Sequence, residues 1–311
     1  IGTAIQGIAH AEASFQGALA YARERRSMRA VTGKKEPDAN ADALIWHADV
    51  RRMLLTQKAI AEGGRAMIYA AAQTADLMVD AGRRQDRATQ DKHDDTLGFY
   101  TPILKGFLTE MGLEAANLGM QVFGGHGYIH EHGMEQIARD ARIATLYEGT
   151  TGIQALDLLG RKVLLGTRGK CVRDFSRIML RSAKTHWLTH GSIGRMARST
   201  AKRAIEWNLL TLRIMRRVGR DRDLVGSASV DYLMYSGYVM MAHFWVRQAA
   251  VAQTLLRNGK GAESAEFYRA KIQTAEFYFD RLLPRADAHR KSALAPTRSL
   301  MQMGNGAFAF S

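Results

Sequence analysis

A single carboxylate, Glu148, lies in a turn rich in glycine and threonine between two apolar helical stretches. A carboxylate in such a turn can act as a general base, because it can reach a proton on a bound substrate. The neighbouring Gly149 lets the backbone turn and approach a ligand without a side chain. Thr150 offers a hydroxyl where the next helix would begin, which is the position of an N-cap. These residues predict base chemistry at this turn.

The surrounding sequence resembles a known family of enzymes. QVFGG at residues 121–125 and LYEGTTGIQ at 146–154 are similar to two motifs in the C-terminal helical domain of the flavin-dependent acyl-CoA dehydrogenases. YARERRSM at 21–28 is similar to the end of that domain's first helix, and RDARI stands at 139–143. Each motif is weak alone, but their shared order makes the resemblance specific. It covers residues 1 to about 165.

The resemblance implies a role for each residue of the turn. Glu148 would remove the proton from the carbon next to the thioester of an acyl-CoA, while a hydride leaves the adjacent carbon for FAD. The thioester oxygen would accept hydrogen bonds from the backbone N–H of Glu148 and from a flavin hydroxyl. Gly149 would border the substrate, and Thr150 and Gln154 would face the flavin. The implied reaction is the α,β-dehydrogenation of an acyl-CoA to the trans-2-enoyl-CoA, as in fatty-acid β-oxidation.

The resemblance also implies contacts to an FAD that a neighbouring subunit binds. Gln121, Gly124 and Gly125 match positions at the adenosine half of that FAD. Arg25 matches an arginine that pairs with the FAD pyrophosphate, a task that suits the planar donor fork of guanidinium. Ser27 would add a minor contact. A homo-oligomer, either a dimer or a tetramer, is therefore expected.

The sequence departs from the family pattern directly after these residues. The family has R-x-[TS]-F-G, whereas this chain has Met28 and Arg29 in place of F-G, followed by the polar segment KKEPDAN. Arg25 therefore keeps a second interpretation, that of a solvated arginine at the end of a helix.

Other ligand motifs are weak in this sequence. The three histidines of HGYIHEH, at 126, 130 and 132, lie in a predicted turn rather than on one face of a helix and have no cysteine partner, so we predict no metal site. The GGHG segment is not a phosphate-binding loop of the dinucleotide type, because no strand precedes it and its spacing differs from GxGxxG.

Helical periodicity with almost no period-two alternation predicts an all-α fold. The predicted helices cover about residues 2–30, 41–82, 101–122, 134–147, 150–165, 170–219, 228–258 and 262–291. The polar segment 82–96 is predicted to be a surface connection, and Pro102 is predicted to begin the next helix. Residues 1–167 would form the helical bundle that carries Glu148. Residues 168–311 resemble an accessory helical domain found in a larger subgroup of the family.

The charge of the chain indicates which classes of binding partner it favours. The formal net charge of +14 favours anions such as CoA phosphates, an acidic protein, membrane headgroups or nucleic acid, although basic residues spread along the chain also suit solvated helix faces. The YEGTTGIQ segment argues against a DNA-associated, non-enzymatic relative of this fold. An acyl-CoA oxidase of the same fold stays open, while a dehydrogenase would pass electrons to an electron-transfer flavoprotein or a similar acceptor.

The remaining expectations concern the setting of the chain. One cysteine and no apolar run of about 18 residues predict a soluble protein of a bacterial cytoplasm or a mitochondrial matrix, with peripheral membrane contact left open. The chain begins at Ile1 within a helical pattern. We therefore expect a fragment that lacks the N-terminal helical domain and the β-domain of the family.

Overall fold

Helices form nearly all the secondary structure of residues 1–309, the part of the chain that the computed structural model describes. They are α1 Gly2–Glu24, α2 Ala48–Arg83, α3 Arg87–Phe123, α4 Met134–Ala144, α5 Thr151–Leu156, α6 Lys170–His186, α7 Ser192–Val218, α8 Leu224–Asn258, α9 Ala265–Phe277, α10 Arg285–Ser292 and α11 Arg298–Met301. Two of them, α5 and α9, continue as the π-helical segments Asp157–Gly166 and Tyr278–Leu282. The predicted all-α fold is confirmed.

Helices α1 and α3 run side by side in close contact through glycines. A Cβ added at Gly7 of α1 would lie 2.5 Å from the carbonyl oxygen of Leu108, and one added at Gly112 of α3 would overlap the carbonyl oxygen of Gly7. The absence of both side chains lets the two backbones touch. The beginning of α1 is thereby fixed against the middle of α3.

The long helix α8 lies at the centre of the remaining helices, with its side chains buried from Tyr232 to Val246. One continuous cluster of buried apolar residues runs from α1 through α8 to α10, so it crosses the predicted division near residue 168. The boundary between residues 167 and 168 stays a prediction. Among residues 1–309, no helix is long and apolar enough to cross a membrane.

The prediction for α3 was wrong at its beginning. Segment 82–96 is not a surface loop, because a short turn ends α2 and the carboxylate of Asp86 accepts the N–H of Thr89 at 3.1 Å to cap a new helix. Pro102 therefore lies inside α3 rather than at its first position. Proline has no N–H for the carbonyl of Gly98, and the hydroxyl of Thr101 donates to that oxygen at 3.5 Å instead.

Two other predicted helices were too long. Helix α1 ends at Glu24, and the polar segment that follows folds around the buried carboxylate of Asp42, which accepts the backbone N–H groups of Ala30, Lys35 and Glu36. These hydrogen bonds, first of all the one from Ala30, hold the pKa of Asp42 below its usual value. The predicted helix 170–219 is interrupted before Gly191, whose φ of 81° only glycine adopts easily.

Candidate active site

Glu148 lies in the turn between α4 and α5, and its backbone has an unusual conformation. Its φ is 55°, and the φ of Gly149 is 88°, so two successive residues lie in the left-handed region. This conformation is unfavourable for a glutamate, at a cost of about 1 to 3 kcal/mol, and it persists only where surrounding contacts hold it. The side chain of Glu148 is exposed. Among residues 1–309, the backbone N–H of Glu148 has no acceptor.

The carboxylate of Glu148 is held by the first turn of α1. The hydroxyl of Thr3 donates to Oε2 of Glu148, and Thr3 itself is buried. Since 145 residues separate the two side chains in the sequence, no local pattern could have indicated this contact. The close packing of α1 on α3 brings Thr3 to the turn.

A buried lysine holds the backbone on both sides of Glu148. The ammonium of Lys105, on α3, donates to the carbonyl oxygen of Gly149 at 2.6 Å and to that of Thr145 at 3.3 Å. Burial lowers the pKa of Lys105, while the carboxylates of Glu110 and Glu148 act in the opposite direction. Lys105 was not among the site residues predicted from the sequence, although a lone lysine within the apolar run YTPILKGFL was a signal for it.

The residues after Glu148 close the turn. The hydroxyl of Thr150 caps α5 by accepting the N–H of Ile153 at 3.4 Å. The side-chain amide of Gln154 donates to the carbonyl oxygen of Glu148 at 2.9 Å. The first turn of α5 thus holds the backbone of Glu148 in place. The N-cap geometry predicted for Thr150 is present, whereas contact of Thr150 and Gln154 with a flavin stays a prediction.

The other predicted ligand contacts form a second group at the opposite end of α1. Arg25 is exposed and adopts an extended backbone directly after α1, and Ser27 is exposed beside it. Gln121, Gly124 and Gly125 are exposed where α3 ends. The structure therefore brings Arg25 together with the glycine turn and separates both from Glu148 by the length of α1. That length is about 33 Å for 23 residues.

Aromatic contacts join the two parts of this second group. The ring of Tyr21, on the last turns of α1, stacks on Phe123 with centroids 4.0 Å apart. The Tyr21 hydroxyl lies 3.3 Å from Nδ1 of His126, and the rings of His126 and His132 are 5.4 Å apart. No local sequence pattern indicates a partner for His126, because Tyr21 lies 105 residues before it.

Glycine at position 125 has no explanation within residues 1–309. Its φ is not in the left-handed region, and a Cβ added there would meet nothing within 4 Å. The same open space surrounds Gly124, although its φ of 60° favours glycine. No contact among residues 1–309 requires glycine at 125, and its contact with an FAD stays a prediction.

An open groove of about 960 Å³ lies between α3 and α4 and is lined by residues near both groups. Leu146, two residues before Glu148, lines it, as does Tyr128 of the glycine turn. Two basic side chains, Arg139 and Arg142, and one acidic side chain, Glu135, line the same groove.

Two family models match the chain. The model described as "Acyl-CoA dehydrogenase, C-terminal domain" matches residues 1–164, and "Acetyl-CoA dehydrogenase C-terminal like" matches residues 173–304. Over 291 residues the chain is 38% identical to a 3-methylmercaptopropionyl-CoA dehydrogenase of Ruegeria pomeroyi, covering 91% of this chain and 46% of that protein. Over 316 residues it is 29% identical to the broad-specificity linear acyl-CoA dehydrogenase FadE5 of Mycobacterium tuberculosis, covering 97% and 50% of the two chains.

Solved structures show the same fold. The chain superposes with a TM-score of 0.70 on an acyl-CoA dehydrogenase from Bacillus anthracis that was solved in complex with FAD. The match covers 98% of this chain and 50% of that one, at 15% sequence identity. At this identity the likeness concerns the fold alone. In each of these comparisons the chain spans about half the length of the protein that it matches.

Proposed function

Because this chain belongs to the acyl-CoA dehydrogenase family, we propose that Glu148 is the catalytic base of an enzyme that dehydrogenates an acyl-CoA thioester with FAD as cofactor. The observation that supports this proposal most is the set of hydrogen bonds that hold the Glu148 turn in place. The carboxylate is exposed and held by Thr3, and the backbone carbonyls around it are held by Lys105 and Gln154. The base is thus positioned by the fold before any substrate arrives.

Proton removal next to a thioester requires more than a carboxylate, because the carbon acid is far weaker than a carboxylic acid. The negative charge that develops on the thioester oxygen must be stabilised by fixed donors. The backbone N–H of Glu148 has no acceptor among residues 1–309, so it is available for this role. The base and this donor belong to the same residue, so the left-handed backbone at Glu148 and Gly149 sets the direction of one relative to the other. Bound FAD would supply the hydride acceptor.

The residues at the far end of α1 fit the outer part of an FAD. Arg25 is exposed and can pair with a pyrophosphate through two parallel donors. Gly124 and Gly125 leave open space in which a ligand can approach the backbone. Since α1 separates these residues from Glu148, we propose that they contact the FAD of a neighbouring subunit in a homo-oligomer. Ser27 and Gln121 would add contacts there, while Thr150 and Gln154 would face the flavin near Glu148.

Acyl-CoA is the proposed substrate class, in line with the names of the two relatives. In line with the family to which the chain belongs, we propose an electron-transfer flavoprotein or a similar acceptor for the reduced flavin.

Flavin absorbance provides the test. The protein expressed from its natural gene is loaded with FAD, mixed with butanoyl-CoA or octanoyl-CoA without oxygen, and followed at the flavin absorbance band. We expect the band to bleach and to stay bleached on exposure to air until an acceptor protein is added. Rapid recovery in air would assign the chain to an oxidase instead. No bleaching with any acyl-CoA would contradict the proposed function.

A further inference from the structure

The ammonium of Lys105 is an unusual group to find inside a helical bundle. Only 7% of the Lys105 surface is exposed, and its neighbours in sequence, Leu104 and Phe107, are fully buried. A buried ammonium is costly unless hydrogen bonds replace its water. Here the carbonyl oxygens of Thr145 and Gly149 replace that water, and neither residue belongs to α3.

The two carbonyl groups that Lys105 binds lie three residues before and one residue after Glu148. Thr145 is the C-cap of α4, where the last carbonyls of the helix have no acceptor role within it and carry partial negative charge. A cation at this position satisfies one such carbonyl. By holding Gly149 at the same time, it closes the turn across Glu148.

We infer that Lys105 is a positioning residue for the base, because it clamps both ends of the turn that carries Glu148. This inference rests on the proposed function. Thr3 holds the carboxylate and Gln154 holds the carbonyl of Glu148, but each acts on Glu148 alone. Lys105 acts on the backbone on either side, and so it fixes both the direction of the carboxylate and the direction of the Glu148 N–H.

Neighbouring contacts on α3 support the same turn. The carboxylate of Glu110 accepts the hydroxyl of Thr151 at 2.5 Å, at the beginning of α5. Helix α3 therefore supplies Lys105 to the carbonyl groups before α5 and Glu110 to a hydroxyl in the first turn of α5. The left-handed backbone at Glu148 and Gly149 needs such support, since a strained conformation persists only where contacts hold it.

The test compares three variants in the FAD-loaded protein expressed from its natural gene. Lys105→Met keeps the length and the apolar stem but removes the charge and the donors. Lys105→Arg keeps a charge and donors on a longer side chain. Lys92→Met makes the same chemical change at an exposed lysine of α3 and serves as the matched control.

Hydrogen exchange measured by mass spectrometry reports on the turn without any substrate. In Lys105→Met we expect the amides of residues 145–147, whose N–H groups are hydrogen-bonded within the turn, to exchange about 10-fold faster or more, as the loss of hydrogen bonds to a charged group implies. Peptides from α7 and α8 should keep their wild-type exchange. Lys92→Met should leave the turn unchanged, and Lys105→Arg should restore part of its protection.

Anaerobic flavin reduction by octanoyl-CoA reports on the chemistry. Lys105→Met should lower the reduction rate at saturation about 10- to 100-fold, because a displaced base is misaligned with its proton. The FAD content and the octanoyl-CoA concentration for half-saturation should change less than about threefold, since clamping acts on geometry rather than on affinity. Lys105→Arg should recover part of the rate.

Three results would overturn the inference. They are unchanged exchange at 145–147, faster exchange that is equal throughout the protein, and a wild-type reduction rate in a folded Lys105→Met protein. If Lys105→Met does not fold, Lys105→Gln, which keeps a neutral donor, is judged by the same exchange and rate criteria. If the wild-type protein reduces no flavin, the proposed function fails, and the exchange result alone still decides whether Lys105 clamps the turn.

Discussion

Because α1 and α3 are in close contact, we predict that replacing glycine by alanine has opposite effects on the free energy of unfolding at two positions of α3. Gly112→Ala places a Cβ against the backbone carbonyl of Gly7, whereas Gly98→Ala places one against the end of the Lys162 side chain, 3.1 Å from its Nζ. A flexible lysine can move away. The backbone of α1 cannot move without separating the helices.

The magnitudes follow from two opposing terms. Alanine is favoured over glycine within a helix by about 1 kcal/mol, so Gly98→Ala should raise the free energy of unfolding by up to that amount. Gly112→Ala gains the same term but suffers overpacking, which costs about 1 to 3 kcal/mol and falls at the upper end where backbone meets backbone. The net effect at Gly112 should be a loss of about 1 to 2 kcal/mol. The two variants should therefore differ by about 2 to 3 kcal/mol.

Thermal unfolding followed by circular dichroism at the helical band measures the sign. We expect the midpoint temperature to rise slightly for Gly98→Ala and to fall for Gly112→Ala. The second variant should also reduce flavin about 10-fold more slowly, because separating α1 from α3 withdraws Thr3 from Glu148. Equal shifts of the same sign would refute the close helix contact on which the geometry of the site depends.

Three further predictions concern single side chains. Burial, with Arg247 nearby, lowers the pKa of His243 to about 4 from its ordinary value of about 6.5. As the pH decreases, the unfolded chain therefore binds this proton before the folded chain does. The free energy of unfolding should fall by about 3 kcal/mol between pH 7 and pH 4. A His243→Leu variant whose unfolding midpoint shows the full wild-type loss over that range would contradict this, with the exposed His190→Asn as control. Thr3→Val should lower the rate of flavin reduction about 10-fold with little change in acyl-CoA affinity, since one hydrogen bond to the carboxylate is lost; an unchanged rate would show that Thr3 does not position the base. Arg25→Ala should weaken FAD binding about 10- to 150-fold and Arg25→Lys less, whereas unchanged FAD affinity would return Arg25 to the solvated surface.

The sequence predicted the fold class and the turn that carries Glu148, because both depend on local patterns. Helical periodicity marks the helices, and the Gly-Thr pair after Glu148 marks the turn and the N-cap at Thr150. Helix boundaries were harder to predict. The polar residues 87–96 read as a loop, yet a polar helix is stable when Asp86 caps it and its apolar continuation packs in the core. Pro102 was a misleading signal for the beginning of a helix, because the polar residues before it already belong to α3.

The contacts that hold the site could not be predicted from local patterns. Thr3 meets Glu148 because glycines allow α1 and α3 to touch, and such contact depends on the whole bundle. Lys105 had a weak signal, a charge within an apolar run, but its acceptors are backbone carbonyls, which no side-chain pattern reveals. The organisation of the segment after α1 by Asp42 was hidden for a similar reason, since its donors are backbone N–H groups.

The identity of the base is the central claim, and the rate of anaerobic flavin reduction in Glu148→Gln tests it most directly. Glutamine keeps the shape of the side chain and can still accept the hydroxyl of Thr3, but it cannot take a proton. In the FAD-loaded protein expressed from its natural gene, with octanoyl-CoA as the probe, the account predicts normal FAD content and near-normal acyl-CoA binding. The reduction rate should fall by at least about 10²- to 10⁴-fold. A variant that keeps more than about a tenth of the wild-type rate would contradict the account and place the base on another residue.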